Sequence, residues 1–419
     1  MEINGKYIEF YDLKDVRNFI NENDLFGIAQ LETPIMDNGG SILIKEHVNI
    51  KESALRKLET LDGQYEKKFQ VRLNSELLEK LKQKLFADIL PKIEKSKFKF
   101  ISYLYNNYPP DGVNYKNVIQ NCFYKKELVI YLYFLKINNH DFFNYISETA
   151  LLVLAIVALK SYQFRFLNRY AFLSGLFSDI CLSETDNWKY SYESEMDMDL
   201  VAKTSSQIAL RFHLPEEIYI PIQSQRIQGI FSEGTSKPVE ADILANHPLL
   251  NSTIDSSDKD EEGENKQEVI EIITNALKIA KFLIEVNKKI EDDEESSQKL
   301  IMMLTYSTEK GLFSGEIANP VIDSFKQYER LVGRTRKIAE MESKCLYKPS
   351  AWAYPKPNAT QILCRDRVFN CPHFLSGWDI NIVTTQTAYG YVGVSLSPGS
   401  YPKCKLEREL ESLNSEEEI

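Results

Sequence analysis

His47, His140, His213, His247 and His373 are all the imidazole that 419 residues contain, and no His-Glu-x-x-His pair occurs among them. Metal-assisted hydrolysis needs imidazole and carboxylate ligands converging on one point, because they supply both the affinity and the lowered pKa of bound water. A second candidate set lies near the C-terminus, where Cys364, Cys371 and His373, flanked by Cys345 and Cys404, contain enough thiol and imidazole for four zinc ligands. The gap between Cys364 and Cys371 is wider than the roughly two to four residues of common zinc knuckles, so ordinary buried thiols are the favoured reading there. No phosphate loop, dinucleotide fingerprint or Gly-x-Ser-x-Gly elbow occurs, and Ser174-Gly175 and Ser397-Pro398-Gly399-Ser400 read as turn chemistry.

The elements that must position any site change character along the chain. Residues 1–75 alternate short apolar runs with turn signals, including Asp37-Asn38-Gly39-Gly40 before Ser41-Ile42-Leu43-Ile44. That pattern predicts a small mixed β and helical part with a hairpin at Asn38-Gly39. From Ser75, Leu77, Leu78, Leu81, Leu85, Ile89 and Leu90 recur at helical spacing and predict a connector to about Lys95. Aromatic residues crowd 96–135 and read as core rather than as a ligand platform. Helical patterns then follow at 142–160, 165–180, 198–212 and 215–227, the arrangement of a helix bundle.

Residues 251–268 are charged and almost without apolar side chains, the composition of a disordered insertion. Helix is expected again over Val269 to Lys288, then a second acidic break, Glu291 to Lys299, before Leu300 to Tyr306. Past Glu342, prolines and the β-like runs Ile380 to Thr384 and Tyr389 to Leu396 indicate a different unit ending in an acidic tail. The expected fold is therefore mainly α. A small mixed β/α domain with its connector occupies 1–95, a helical domain 96–335, and a Cys-containing, β-containing extension 336–419.

Leu173 to Cys181 (LSGLFSDIC), preceded by the apolar helix 149–160, resembles the helix ending in His-Asp-Ile-Gly of the HD-GYP family of cyclic-di-GMP phosphodiesterases. Gln223-Ser224-Gln225-Arg226-Ile227-Gln228-Gly229 is similar to that family's His-His-Glu-Arg-x-Asp-Gly signature, with Arg226 and Gly229 matching. Val201 to Ala209, Ala276 to Lys281 and Gly311-Leu312-Phe313 resemble further family segments in the same order over residues 140–330. The segment Pro34 to Gly40 followed by Leu43-Ile44 is similar to the small domain that often precedes such modules. The resemblance implies an HD-like bundle, and with it a place for each metal ligand. Ser178 stands for the histidine of the His-Asp pair and Asp179 for its aspartate. Gln223 and Ser224 stand for the two later histidines, Gln225 for the glutamate, Gln228 for the next aspartate, and Lys281 for a helix aspartate. The first-helix histidine falls near Ser147 and another near Lys203 or Thr204.

Only Asp179 keeps a ligand's chemistry, and a lysine at 281 puts a positive charge where the resemblance places metal. Asp179 itself is read as a helix-terminal carboxylate with local hydrogen bonds. The resemblance thus implies a non-catalytic relative without cofactor, acting by binding cyclic-di-GMP or a protein partner. Arg226 and Lys281 are the candidate ligand-binding pair, since a guanidinium binds phosphate without metal; a structural ion pair is the plainer role for Arg226. The alternative is an active phosphodiesterase with a metal site rearranged onto Asp179, His213, Asp242 and His247.

Net charge of −11 and a pI near 5.2, with no basic stripe, argue against a nucleic-acid partner. Residues 1–11 have no basic segment leading into an apolar core, so a cleaved signal is not expected. The run Ala150 to Lys160 is shorter than the ~20 residues a bilayer span needs and reads as a buried helix. Six cysteines without disulfide-like spacing fit a reducing cytoplasm.

Overall fold

Alternating apolar side chains set the strands of the N-terminal part. β1 (Glu2–Asn4), β2 (Tyr7–Phe10) and β5 (Phe69–Arg72) form an antiparallel sheet in the order β1-β2-β5, with Ile8 opposite Val71 and Phe10 opposite Phe69. All four of these facing residues are buried. Asp12 caps α1 (Leu13–Glu22) by accepting from the Lys14 amide, and Leu13, Val16, Phe19 and Ile20 form its inward stripe. The hairpin of β3 (Ile35–Met36) and β4 (Ile42–Ile44) turns where the Asp37 carboxylate accepts from the Gly39 and Ser41 amides, at 2.9 and 2.8 Å. Gly40, at φ 82°, takes a conformation that a side chain would strain. α2 (Glu52–Thr60) completes this layer.

This is a computed structural model, and it describes residues 2–4, 6–61, 63–96, 98–107, 114–160, 162–164, 166–184, 198–225, 266–289 and 294–344, together with strands at 374–378, 382–386, 392–396 and 402–404. The chain divides into two compact units, Met1–Phe325 and Lys326–Ile419.

Helices dominate the first unit. α3 (Ser75–Ile89) starts where Asn74 accepts from the Leu77 amide, and it buries Leu77, Leu81, Leu85, Phe86 and Ile89. α4 (Lys92–Lys95), α5 (Lys99–Asn107), α6 (Tyr115–Cys122) and α7 (Lys126–Asn138) contain the aromatic residues, which pack as core: Phe19 stacks on Phe134 at 5.8 Å, and the Tyr133 hydroxyl donates to Asn23 at 2.6 Å. α8 (His140–Ala158), capped by Asn139, is the central helix and packs on α5, α7 and α9 (Leu167–Phe177). By length and composition α8 could cross a membrane, yet 83% of its apolar window is buried inside the protein, which makes it a core helix. A short 3-10 turn (Ile180–Glu184) follows α9. Then come α10 (Met198–Arg211), α11 (Glu216–Gln223), α12 (Lys266–Lys289), α13 (Glu294–Glu309) and α14 (Gly315–Lys344), the last of which runs past the unit boundary. The fold is mainly α with a small mixed β/α part at its N-terminus.

α12 begins at Lys266, inside the stretch expected as a disordered insertion, and residues 251–265 lie outside the described set. α13 begins at Glu294, within the acidic segment expected as a break. In the second unit, β6 (Phe374–Trp378) pairs with β9 (Pro402–Cys404) and β7 (Ile382–Gln386) with β8 (Val392–Leu396), all antiparallel.

One carboxylate in the N-terminal sheet makes stability depend on acid. Glu9 is buried in β2 and accepts from Tyr11 (2.6 Å) and Gln70 (2.7 Å), with the Lys68 ammonium at 3.3 Å. Burial acts to raise its pKa, and the bonds from Tyr11, Gln70 and Lys68 outweigh it, leaving the carboxyl below its ordinary value. A depressed carboxyl contributes stability above the unfolded-chain pKa and loses it as pH falls through the folded-state value. Glu9→Gln is therefore expected to lower stability at neutral pH and to flatten its fall between about pH 5 and pH 3. Urea denaturation repeated across that range checks it; parallel curves for both proteins would refute the assignment.

Candidate functional site: a buried ion pair between two helices

α12 carries Ile273, Leu277, Lys281 and Glu285 on one stripe, each four residues from the next. The flanking Ile279, Ala280, Phe282 and Leu283 are fully buried, so helical period drives Lys281 inward, where the residue keeps 2% exposure. A buried ammonium is costly unless it meets an anion and hydrogen-bond acceptors. Asp179 supplies the anion. It lies two residues beyond the end of α9, and its Oδ1 is 2.6 Å from Lys281 Nζ, the two side chains being 1% and 2% exposed.

Two further helices close the cluster. Tyr145 of α8 donates its hydroxyl to Asp179 Oδ2 at 2.7 Å. Gln225, two residues past α11, accepts from Lys281 Nζ at 3.1 Å, and its own amide nitrogen donates to the Ser178 carbonyl at 2.7 Å. The Ser178 hydroxyl donates to the Gly175 carbonyl at 3.0 Å. Among the described residues, the Lys281–Asp179 ion pair is thus joined by Tyr145 of α8, the Ser178 carbonyl beyond α9 and Gln225 beyond α11. Both oxygens of Asp179 already accept a hydrogen bond, so this carboxylate serves as counter-ion to an ammonium.

The cluster brings together Ser178, Asp179, Gln225 and Lys281 from the candidate positions. It leaves out Gln223 and Ser224, which are exposed at the end of α11. Ser147, buried on α8, donates to the Phe143 carbonyl at 2.6 Å; Thr204 is buried on α10 and Lys203 exposed. His213 is exposed just past α10 at φ 50°, whereas Asp179 is fully buried. Arg226, Gln228, Asp242, His247, Cys364, Cys371 and His373 lie outside the described residues. Among the described residues, no group of three or more His, Cys, Asp or Glu side chains is placed to hold a metal ion.

One expectation needs correction. The Asp179 side chain does not bond locally: its partners are 34 and 102 residues away, brought to it where α8 and α12 enclose the fully buried carboxylate. Lys281, named with Arg226 as a candidate ligand-binding pair, directs its ammonium to Asp179 and Gln225 inside the protein, and Arg226 lies outside the described residues. Sequence reasoning missed Tyr145, which reads as one more aromatic beside Phe142 and Phe143.

Next to the cluster, the Cys181 amide donates to Ser205 Oγ at 3.3 Å, and its thiol lies 3.5 Å from the Val201 carbonyl. Burial pushes this thiol up to about 12, with the Ser205 hydrogen bond acting in the other direction. Burial also raises the Cys122 thiol. Neither is a thiolate at neutral pH, so both act as core side chains rather than nucleophiles. No family model, curated protein or solved structure matches the chain.

Proposed function

We propose that this chain is a non-catalytic HD-GYP-like signalling or scaffold protein of the cytoplasm, which acts by binding a partner and not by hydrolysing a phosphodiester. The observation that carries the reading is the Lys281 ammonium, 2.6 Å from Asp179 at the point where the resemblance calls for a metal ligand. A bound metal lowers the pKa of a coordinated water and leaves a position open for substrate. An ammonium does neither: it donates its protons to Asp179 and Gln225 and offers no coordination site. Because Lys281 is enclosed, a cyclic dinucleotide reaching the surface gains no contact from it, which favours a protein partner over cyclic-di-GMP at this place.

The test is cyclic-di-GMP turnover by the purified chain with manganese or ferrous iron added, followed by calorimetric titration with cyclic-di-GMP and affinity isolation of partners. The expected result is no turnover above the protein-free control and a stable protein partner whose retention is indifferent to the nucleotide. Metal-dependent hydrolysis would overturn the proposal.

A further inference from the structure

Arg169, in the first turn of α9, has the centre of its guanidinium 4.1 Å from the ring centroid of Tyr124 and 5.9 Å from that of Phe166. The Nε atom is buried and has no hydrogen-bond partner, and none of the ion pairs among the described residues uses this guanidinium. A second cation adjoins the same ring: Lys125 Nζ is 5.5 Å from the Tyr124 centroid, held by the carbonyls of Phe212 (3.2 Å) and His213 (2.6 Å). Tyr124 is 42% exposed, so the cluster opens to solvent. In a chain of net charge −11, two cations thus share one exposed ring with no carboxylate bonded to the arginine among the described residues.

A planar guanidinium fixed by an aromatic face presents a rigid fork that matches a tetrahedral oxyanion in two-point fashion. Two positive charges, 4.1 and 5.5 Å from one ring centroid, suit a group carrying nearly two negative charges at neutral pH, as a phosphate monoester does, better than a single carboxylate. We propose that Arg169, seated on Tyr124 beside Lys125, is a binding site for a phosphoryl oxyanion. The site is separate from the Asp179–Lys281 cluster, and the proposal does not rest on the function proposed above.

The test is calorimetric titration of the full chain, in phosphate-free buffer, with inorganic phosphate and with pyrophosphate. Saturable binding is expected for wild type and for Arg17→Gln, whose arginine already pairs with Glu59. Arg169→Gln should weaken binding about tenfold or more, and Arg169→Lys, which keeps charge but loses the fork, should fall between. Thermal unfolding of each variant shows that it remains folded. Displacement of pyrophosphate by cyclic-di-GMP would assign the site to a phosphodiester ligand, and no displacement to a free phosphate or monoester. Absence of saturation with both probes, or equal binding by Arg169→Gln and wild type, would overturn the proposal.

Discussion

Lys281→Met is expected to lower the unfolding free energy by about 3–5 kcal/mol, the size of effect that follows when one member of a buried ion pair is removed and the other stays charged. Methionine nearly reproduces the length and volume of lysine, so little of the loss comes from a cavity. The loss comes from Asp179, whose carboxylate would face an apolar interior with only the Tyr145 hydroxyl, 2.7 Å away, among the donors bonded to its side chain. Adding Asp179→Asn should recover a large part of the loss, because the double variant buries no net charge and an amide still accepts from Tyr145. Urea unfolding of the two single variants and the double variant gives the coupling energy directly. A double variant as unstable as the sum of the singles would mean that the two residues act independently, and the ion pair would then not hold these helices together.

How much of this site could be read in advance depends on the range of the interactions. The stripe through Ile273, Leu277 and Lys281 fixes the burial of Lys281 from helical period alone, and a lysine among Ile279, Ala280, Phe282 and Leu283 demands an anion. Asp179 was readable as a residue of interest for the same reason: it ends a run, Leu173 to Phe177, that is otherwise apolar apart from Ser174 and Gly175. The partner choice was not readable. The Tyr145 hydroxyl looks like one more aromatic beside Phe142 and Phe143, and only the crossing of α8 against α9 turns it to Asp179. In the same way the hairpin at Asp37 to Gly40 follows from local turn chemistry, whereas the start of α13 at Glu294 does not follow from composition. That start lies in an acidic run, which reads as a break.

The crossing that makes this contact depends on a residue without a side chain. A methyl group added at Gly175 would lie 2.6 Å from Ala150 Cα, 3.1 Å from the Ala150 amide nitrogen and 3.2 Å from the Thr149 carbonyl. All three are backbone atoms of α8, so no flexible side chain can swing aside and the helices themselves must separate. Gly175→Ala is expected to cost about 2 kcal/mol net: overpacking costs roughly 3 kcal/mol, and the better helix propensity of alanine offsets about 1. Gly333→Ala supplies the contrast, since it lies within α14 with nothing inside 4 Å of the added methyl and should stabilise by up to about 1 kcal/mol. Separation of α8 from α9 also pulls Tyr145, five residues before Ala150, away from Asp179, four residues after Gly175. Tyr145→Phe should therefore cost less in the Gly175→Ala background than in wild type, which chemical denaturation of the four proteins resolves as a coupling. If Gly175→Ala proved as stable as wild type, the close crossing would not set the Tyr145–Asp179 contact, and the ion pair would have to be positioned by α11 and α12 alone.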